Sequence, residues 1–368
     1  MTDTLKHPIY SRDAAVFVVT GDDKLDTFRR AADQAGFIPH ILDRWQASGK
    51  SKDDFKIAIK PNIMTASIHE ADSPVYTDPA LVEELIRLLR DEGFTQISVV
   101  GAQNVYNYAY TGRTVPAVAA MCGYSGQGYE IVDMTTDTVD FEYGGLLRTH
   151  PAGRVWVEAD YRVTFAKNKT HWQCYYTACL KNVYGCLPMW DKMRYYHGRT
   201  ARRENIEFYQ ATILINDKLP AHFAFLDAWV SGDGLTGHVR DPHPNHTHTI
   251  FASENAYALD WVAGEKMHVD PRKNFVIQEA MRHWGEITIT RNGDLTPWRP
   301  WRNVRPIVVK AFDFIEEYYW FGRFMSRAAA TEMDPRFPPV GRFNWFFSIL
   351  QFFVRLGERL MVDVIEPS

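Results

Sequence analysis

Residues 169–182, KTHWQCYYTACLKN, place two lysines, one histidine, two cysteines and three aromatic rings within fourteen positions. A histidine exchanges protons near neutral pH. A lysine held among apolar rings loses stability of its charged form, and its amine then becomes a base or a nucleophile. His171 is therefore read as a general acid/base, with Lys181 as an activated amine or as the electrostatic partner of a developing oxyanion. Lys169, two residues before His171, joins them as a catalytic candidate. Lys60, Asn62, Lys169 and Lys192 are candidates for holding a carboxylate or a phosphate. Thr170, Thr177 and Asn182 add hydrogen-bonding groups, and Tyr175 and Tyr196 would help to wall a pocket for a flat, partly apolar molecule.

Metal binding is a separate use of the same region. His171, Lys181 and His197 could converge if the Gly–Cys–Leu–Pro turn at 185–188 folds the chain back. His197 and His238 are the candidate ligands of a divalent ion such as nickel, iron or zinc. The second histidine cluster, at 238–248, reads as a proline-broken loop. Cys122, Cys174, Cys179 and Cys186 form no CxxC pair and fit no common iron–sulfur spacing, so they are expected to be free thiols. No Walker A loop, GxGxxG or GxSxG occurs, which leaves no ATP, NAD or serine-hydrolase signature.

The elements that must position these groups alternate between strand and helix patterns. Short apolar runs at 14–20, 55–63 and 96–102 are separated by helical patterns, one of which has Asp78 and Pro79 at its start. Further helices are expected near 115–122, 175–184 and 203–218, with strands near 129–133, 161–167 and 222–230. A helix over 175–184 would put Thr177 and Lys181 on one face. The fold class that follows is α/β, with mostly parallel, Rossmann-like sheets in two closely joined lobes. Residues 1–215 would form the lobe carrying the KPN and KTH…LKN motifs, residues 216–300 a second lobe, and 301–368 an aromatic helical tail. Ligands in open α/β sheets sit beyond the carboxyl ends of the strands, where KPN, GAQN, KNKTH and LDAW all fall.

Composition sets the outer bounds. The net charge of −4 argues against a nucleic-acid surface. The polar N-terminus shows no signal-peptide pattern, and the longest apolar run in the tail is too short to span a bilayer, so a cytoplasmic location is expected. Residues 343–360 could instead pack on the core, bury in a homodimer or touch a membrane surface.

The combination KPN at 60–62, DPALVEELIRLLRDEG at 78–93 and KTH…T…LKN…G…P…K…H from 169 to 197 resembles the domain-of-unknown-function family 362 over residues 56–260. A more distant resemblance is to the nickel-pincer lactate racemases, in which a histidine, a lysine ten residues later and a histidine sixteen further on recur as His171, Lys181 and His197 do here. That resemblance implies an acid/base role for His171, an attachment point for a cofactor or substrate at Lys181, and a metal ligand in His197. Residues 103–110 hold no second histidine, so racemisation by two opposed bases is not implied. The reading reached is an enzyme acting on a small, partly aromatic or anionic molecule by acid/base isomerisation, proton transfer or redox chemistry. The alternative is a non-catalytic metal- or cofactor-binding accessory protein.

Overall fold

The computed structural model describes residues 6–64, 71–104, 110–171, 174–188, 208–234, 244–299, 301–304 and 362–364. Lys192, Tyr196, His197 and His238 lie outside these residues, as do the expected tail helices.

The strands of the main sheet and of one hairpin are β1 (Ala14–Thr20), β2 (Ile57–Pro61), β3 (Ile97–Gly101), β4 (Glu130–Asp133), β5 (Thr138–Gly144), β6 (Arg148–Gly153), β7 (Tyr161–His171), β8 (Tyr175–Thr177), β9 (Phe223–Gly232), β10 (Asn245–Ser253) and β11 (Ile289–Gly293), and Arg302–Val304 pairs separately with Val362–Val364. The helices are α1 (Lys24–Gln34), α2 (Phe37–Ser48), α3 (Pro79–Asp91), α4 (Val115–Cys122), α5 (Arg154–Glu158), α6 (Cys179–Tyr184), α7 (Phe208–Lys218), α8 (Ala256–Lys266) and α9 (Phe275–Trp284). One nine-stranded sheet runs β11–β1–β10–β9–β7–β2–β3–β4, with β8 paired to β7. The run β9–β7–β2–β3–β4 is parallel throughout, and β10 is antiparallel to both of its neighbours. The chain on either side of residue 215 thus contributes adjacent strands, β7 and β9, to the same sheet. The β5–β6 hairpin is a separate antiparallel excursion.

Alternation along the central strands decides which residues enter which layer. In β9, Phe223 and Phe225 enter the core beneath α1–α4, whereas Ala224, Leu226 and Ala228 enter the core under α6–α9. The same split in β7 sends Tyr161, Val163 and Phe165 one way and Ala166 the other. Phe28, Phe37, Phe165, Phe223 and Phe225 meet at centroid separations of 5.0–5.6 Å, so one layer is filled by rings. Small residues on the opposite face let α6 and α8 approach closely.

Asp78 caps α3 through its carboxylate and the Ala80 N–H, with Pro79 in the first turn. Gly36 adopts φ +67°, and the chain turns straight into α2, a helix that is not among the elements expected from the sequence. Two expectations are corrected. Residues 175–184 are not one helix, because Tyr175–Thr177 pairs antiparallel with the end of β7 and α6 starts only at Cys179. Thr177 therefore faces Lys169 across a hairpin rather than sharing a helical face with Lys181. His246 and His248 lie on β10 and not in a loop, with a register shift between His246 and Thr249.

Candidate functional site

Because β2, β3, β7 and β9 are parallel, their carboxyl ends meet at one edge of the sheet. That edge carries Lys60, Lys167, Asn168, Lys169, Thr170 and His171, together with Asp227. Strand ends of this kind are where open α/β sheets bind ligands.

β7 runs four residues beyond the expected end at Lys167, because β8 folds back and pairs with it at Lys169, Thr170 and His171. The turn into β8 places Tyr175 at φ +70°, an uncommon backbone state for a residue with a side chain. After β8 the chain enters α6, whose first amides are capped from a distance: the Asp260 carboxylate accepts from Cys179 N at 2.7 Å and from Leu180 N at 2.9 Å. Burial raises the Asp260 carboxyl to about 7, against the two amide bonds that favour its ionised form. Fixing the start of α6 sets where Lys181 and Asn182 project.

Lys181 Nζ lies 2.9 Å from His171 Nε2. An N–H···N hydrogen bond needs one lone pair, so this pair cannot have an N–H hydrogen on both facing nitrogens. The Lys181 ammonium also sits 5.8 Å from the Phe208 ring centroid on α7. Asn182 points the other way, donating to Lys60 O at 2.6 Å and to Thr164 Oγ1 at 3.1 Å. The Lys60 amine donates to Pro61 O at 2.7 Å and reaches Asn182 Oδ1 at 3.5 Å. A Cβ at Gly185 would stand 3.0 Å from Lys60 Cε and 3.1 Å from its Nζ, so the glycine after LKN makes room for the lysine of KPN. Burial lowers the Lys60 amine below the usual lysine range.

Lys169 emerges on the other face. Its Nζ donates to Val75 O at 3.0 Å, in the connection before α3. It is buried, and its amine is lowered to about 7, first by burial and then by the charges of Lys181 and Lys167. Lys167 is compensated by the Asp227 carboxylate at 2.9 Å, opposite it in the β7–β9 register. Asp227 also accepts from the amides of Asp78 and Trp229. Thr170 donates to Gly234 O at 2.7 Å, and Asn62 is tied to Thr77 through its backbone. The Thr177 hydroxyl is buried with no hydrogen-bond partner among the described residues.

The structure thus gathers His171, Lys181, Lys169, Thr170, Thr177, Lys60 and Asn182 at one edge, with Lys60 and Lys169 on opposite faces of the sheet. Tyr175 is half-buried and meets Phe275 at 6.4 Å, whereas Tyr176 is buried and holds Asp260 O through its hydroxyl. All four cysteines are buried, and burial pushes the Cys174 thiol up to about 12 and the Cys179 thiol well above its ordinary range, so neither of these two is a ready thiolate. Among the described residues, no group of three or more His, Cys, Asp or Glu side chains could hold a metal ion. His248 stacks on Trp229 at 4.5 Å.

Sequence reasoning missed three residues here. Asp260 acts from 80 residues away, and only a carboxylate inside an apolar helix, ALDWVA, hinted at it. Asp227 lies within the LDAW stretch, but its pairing with Lys167 has no signal in the sequence. Arg113, buried and donating to Met64 O at 3.0 Å, had no signal in its TGRTV setting.

Among the described residues, no helix is long and apolar enough to cross a membrane. The sequence has no match among curated proteins. Among solved structures, the lactate racemase apoprotein from Thermoanaerobacterium thermosaccharolyticum matches with a TM-score of 0.33 and 12% identity, over 59% of this chain and 51% of that one. The chain therefore covers about half the length of that structure. The model of the domain of unknown function family DUF362 matches residues 57–265, from β2 to the end of α8 and so across every strand end described above; the chain belongs to that family.

Proposed function

We propose that the carboxyl edge of the sheet binds a small anionic molecule and moves a proton at a carbon beside its carbonyl group. The observation that carries this reading is the 2.9 Å contact between Lys181 Nζ and His171 Nε2. One of these nitrogens holds a proton and the other a lone pair, so an acid and a base stand side by side. The base takes the proton from carbon. The electron pair moves onto the carbonyl oxygen, and the remaining ammonium stabilises that oxyanion. Return of the proton completes an isomerisation or an exchange, with no net change in oxidation state. Lys169 and the Thr177 hydroxyl face each other across the hairpin and are the groups to hold the carboxylate of the same molecule.

The test is proton exchange in deuterated water. Purified protein is incubated with small 2-hydroxy and 2-oxo carboxylates, and loss of the proton beside the carbonyl is followed by NMR. Exchange is expected for at least one of them, and to fall about 10²–10⁴-fold in both His171→Gln and Lys181→Met. Oxalate, which resembles the planar enolate, is expected to bind to the wild type and more weakly to Lys181→Met. Exchange that survives both substitutions, or the absence of both exchange and oxalate binding, would overturn the reading.

A further inference from the structure

The opposite, amino-terminal edge of the same sheet carries a second basic cluster, formed by Arg44 on α2, Arg162 at the start of β7 and His222 just before β9. His222 and Arg162 are locked together: His222 N donates to Arg162 O at 2.7 Å, and Arg162 N donates to His222 Nδ1 at 2.9 Å. A neutral imidazole has one lone pair and one N–H. Nδ1 uses the lone pair on the Arg162 amide, so Nε2 carries the hydrogen. Yet the groups facing Nε2 are Arg44 Nη2 at 3.1 Å and Arg162 Nη2 at 3.4 Å, both of which only donate. Three N–H donors converge there with no acceptor between them among the described residues.

The surroundings do not resolve the conflict. Arg162 Nε and Nη1 are already taken by the carbonyls of Pro220 and Ala159, which leaves Nη2 for the cluster. Among the described residues, neither Arg44 nor Arg162 forms a salt bridge. The neighbouring Asp160 carboxylate is held by Lys50 Nζ at 2.7 and 2.8 Å and by Lys56 N. Glu254 lies 4.0 Å from His40 Nε2, and His40 Nδ1 is engaged by the Tyr161 hydroxyl at 2.6 Å. His222 is buried, and Arg44 is exposed, so the cluster is reached from the surface through Arg44.

We infer that Arg44, Arg162 and His222 form a binding site for a small oxyanion of the phosphate type, separate from the carboxyl-edge site. An oxygen of such an ion accepts from His222 Nε2–H while its other oxygens accept from the two guanidinium groups, which turns three opposed donors into three charge-assisted or neutral hydrogen bonds. The depressed basicity of His222, lowered to about 2 by burial and then by Arg162, Arg44 and His40, fits a neutral imidazole that donates through Nε2–H.

The test uses the full chain, with inorganic phosphate and glycerol phosphate compared against chloride at matched ionic strength. Saturable calorimetric binding and a rising, saturating thermal midpoint are expected for the wild type. Arg44→Ala, at an exposed position, is expected to bind at least tenfold more weakly, with Arg44→Lys intermediate because it keeps charge but loses the planar fork. In ¹⁵N NMR the His222 Nε2–H resonance is expected to shift with the same saturation curve. Tighter binding of the ester identifies a phosphomonoester as ligand, and equal binding identifies the free ion. No saturable response to either anion, or unchanged affinity in Arg44→Ala, would overturn the inference.

Discussion

Both edges of the sheet gather basic side chains, but they satisfy them differently. At the carboxyl edge, the described contacts give each buried lysine an acceptor: Lys167 has Asp227, Lys169 has Val75 O and Lys60 has Pro61 O, while the half-buried Lys181 faces an imidazole nitrogen. At the amino edge, Arg44 and Arg162 converge on the N–H side of His222. The cost of burying a cation explains the first arrangement, because an uncompensated charge in the interior is strongly unfavourable. The second is tolerable because Arg44 remains exposed to water. Internal acceptors hold a charge in place for chemistry, whereas opposed donors, with no acceptor between them among the described residues, suit the anion site inferred above.

The most severe way to break this comparison is Asp227→Ala, which leaves Lys167 at the carboxyl edge without its carboxylate. A loss of about 3–5 kcal/mol is expected by chemical denaturation, with Lys167→Met/Asp227→Leu recovering most of it. A smaller and pH-dependent effect is expected at Lys169. Its amine protonates near 10.5 in an unfolded chain and at about 7 in the folded protein. Between those values the unfolded chain binds more protons, so this group makes the fold more stable as pH rises from about 7 to about 10.5. Lys181→Met removes one of the charges that depress Lys169. Its midpoint, followed by lysine side-chain NMR, should move upward from about 7, with each unit worth about 1.4 kcal/mol. A midpoint that stays put would show that Lys181 does not act on Lys169. The smallest effect belongs to the amino edge: without phosphate, Arg44→Ala should change unfolding free energy by less than about 0.5 kcal/mol. A large loss there would mean that Arg44 is a structural prop and would erase the contrast.

Much of the scaffold was legible because it rests on local rules. Asp78 followed by Pro79 marked the start of α3, and the leucine spacing behind it marked the buried face. The short apolar runs separated by helical patterns implied a parallel sheet, and the parallel sheet implied which strand ends would meet. The Tyr175–Thr177 segment was misread because three residues carry too little periodicity to separate strand from helix, and its conformation is set by pairing with β7.

The sequence by itself determined that KPN, GAQN, KNKTH and LDAW would fall at the carboxyl ends of strands, since chain direction and strand alternation are local properties. The residue chemistry alone also marked His171 and Lys181 as the pair to watch. Only the tertiary structure decided that these two side chains touch, that Asp260 anchors the helix carrying Lys181, and that Arg44, Arg162 and His222 present three donors to one point. Those facts depend on register and on contacts that, for the His171–Lys181 pair, span 10 positions of the chain and, for the others, 60, 80 and 178. Hydrogen-bond geometry at that range is fixed by how the layers pack, and no local pattern encodes it.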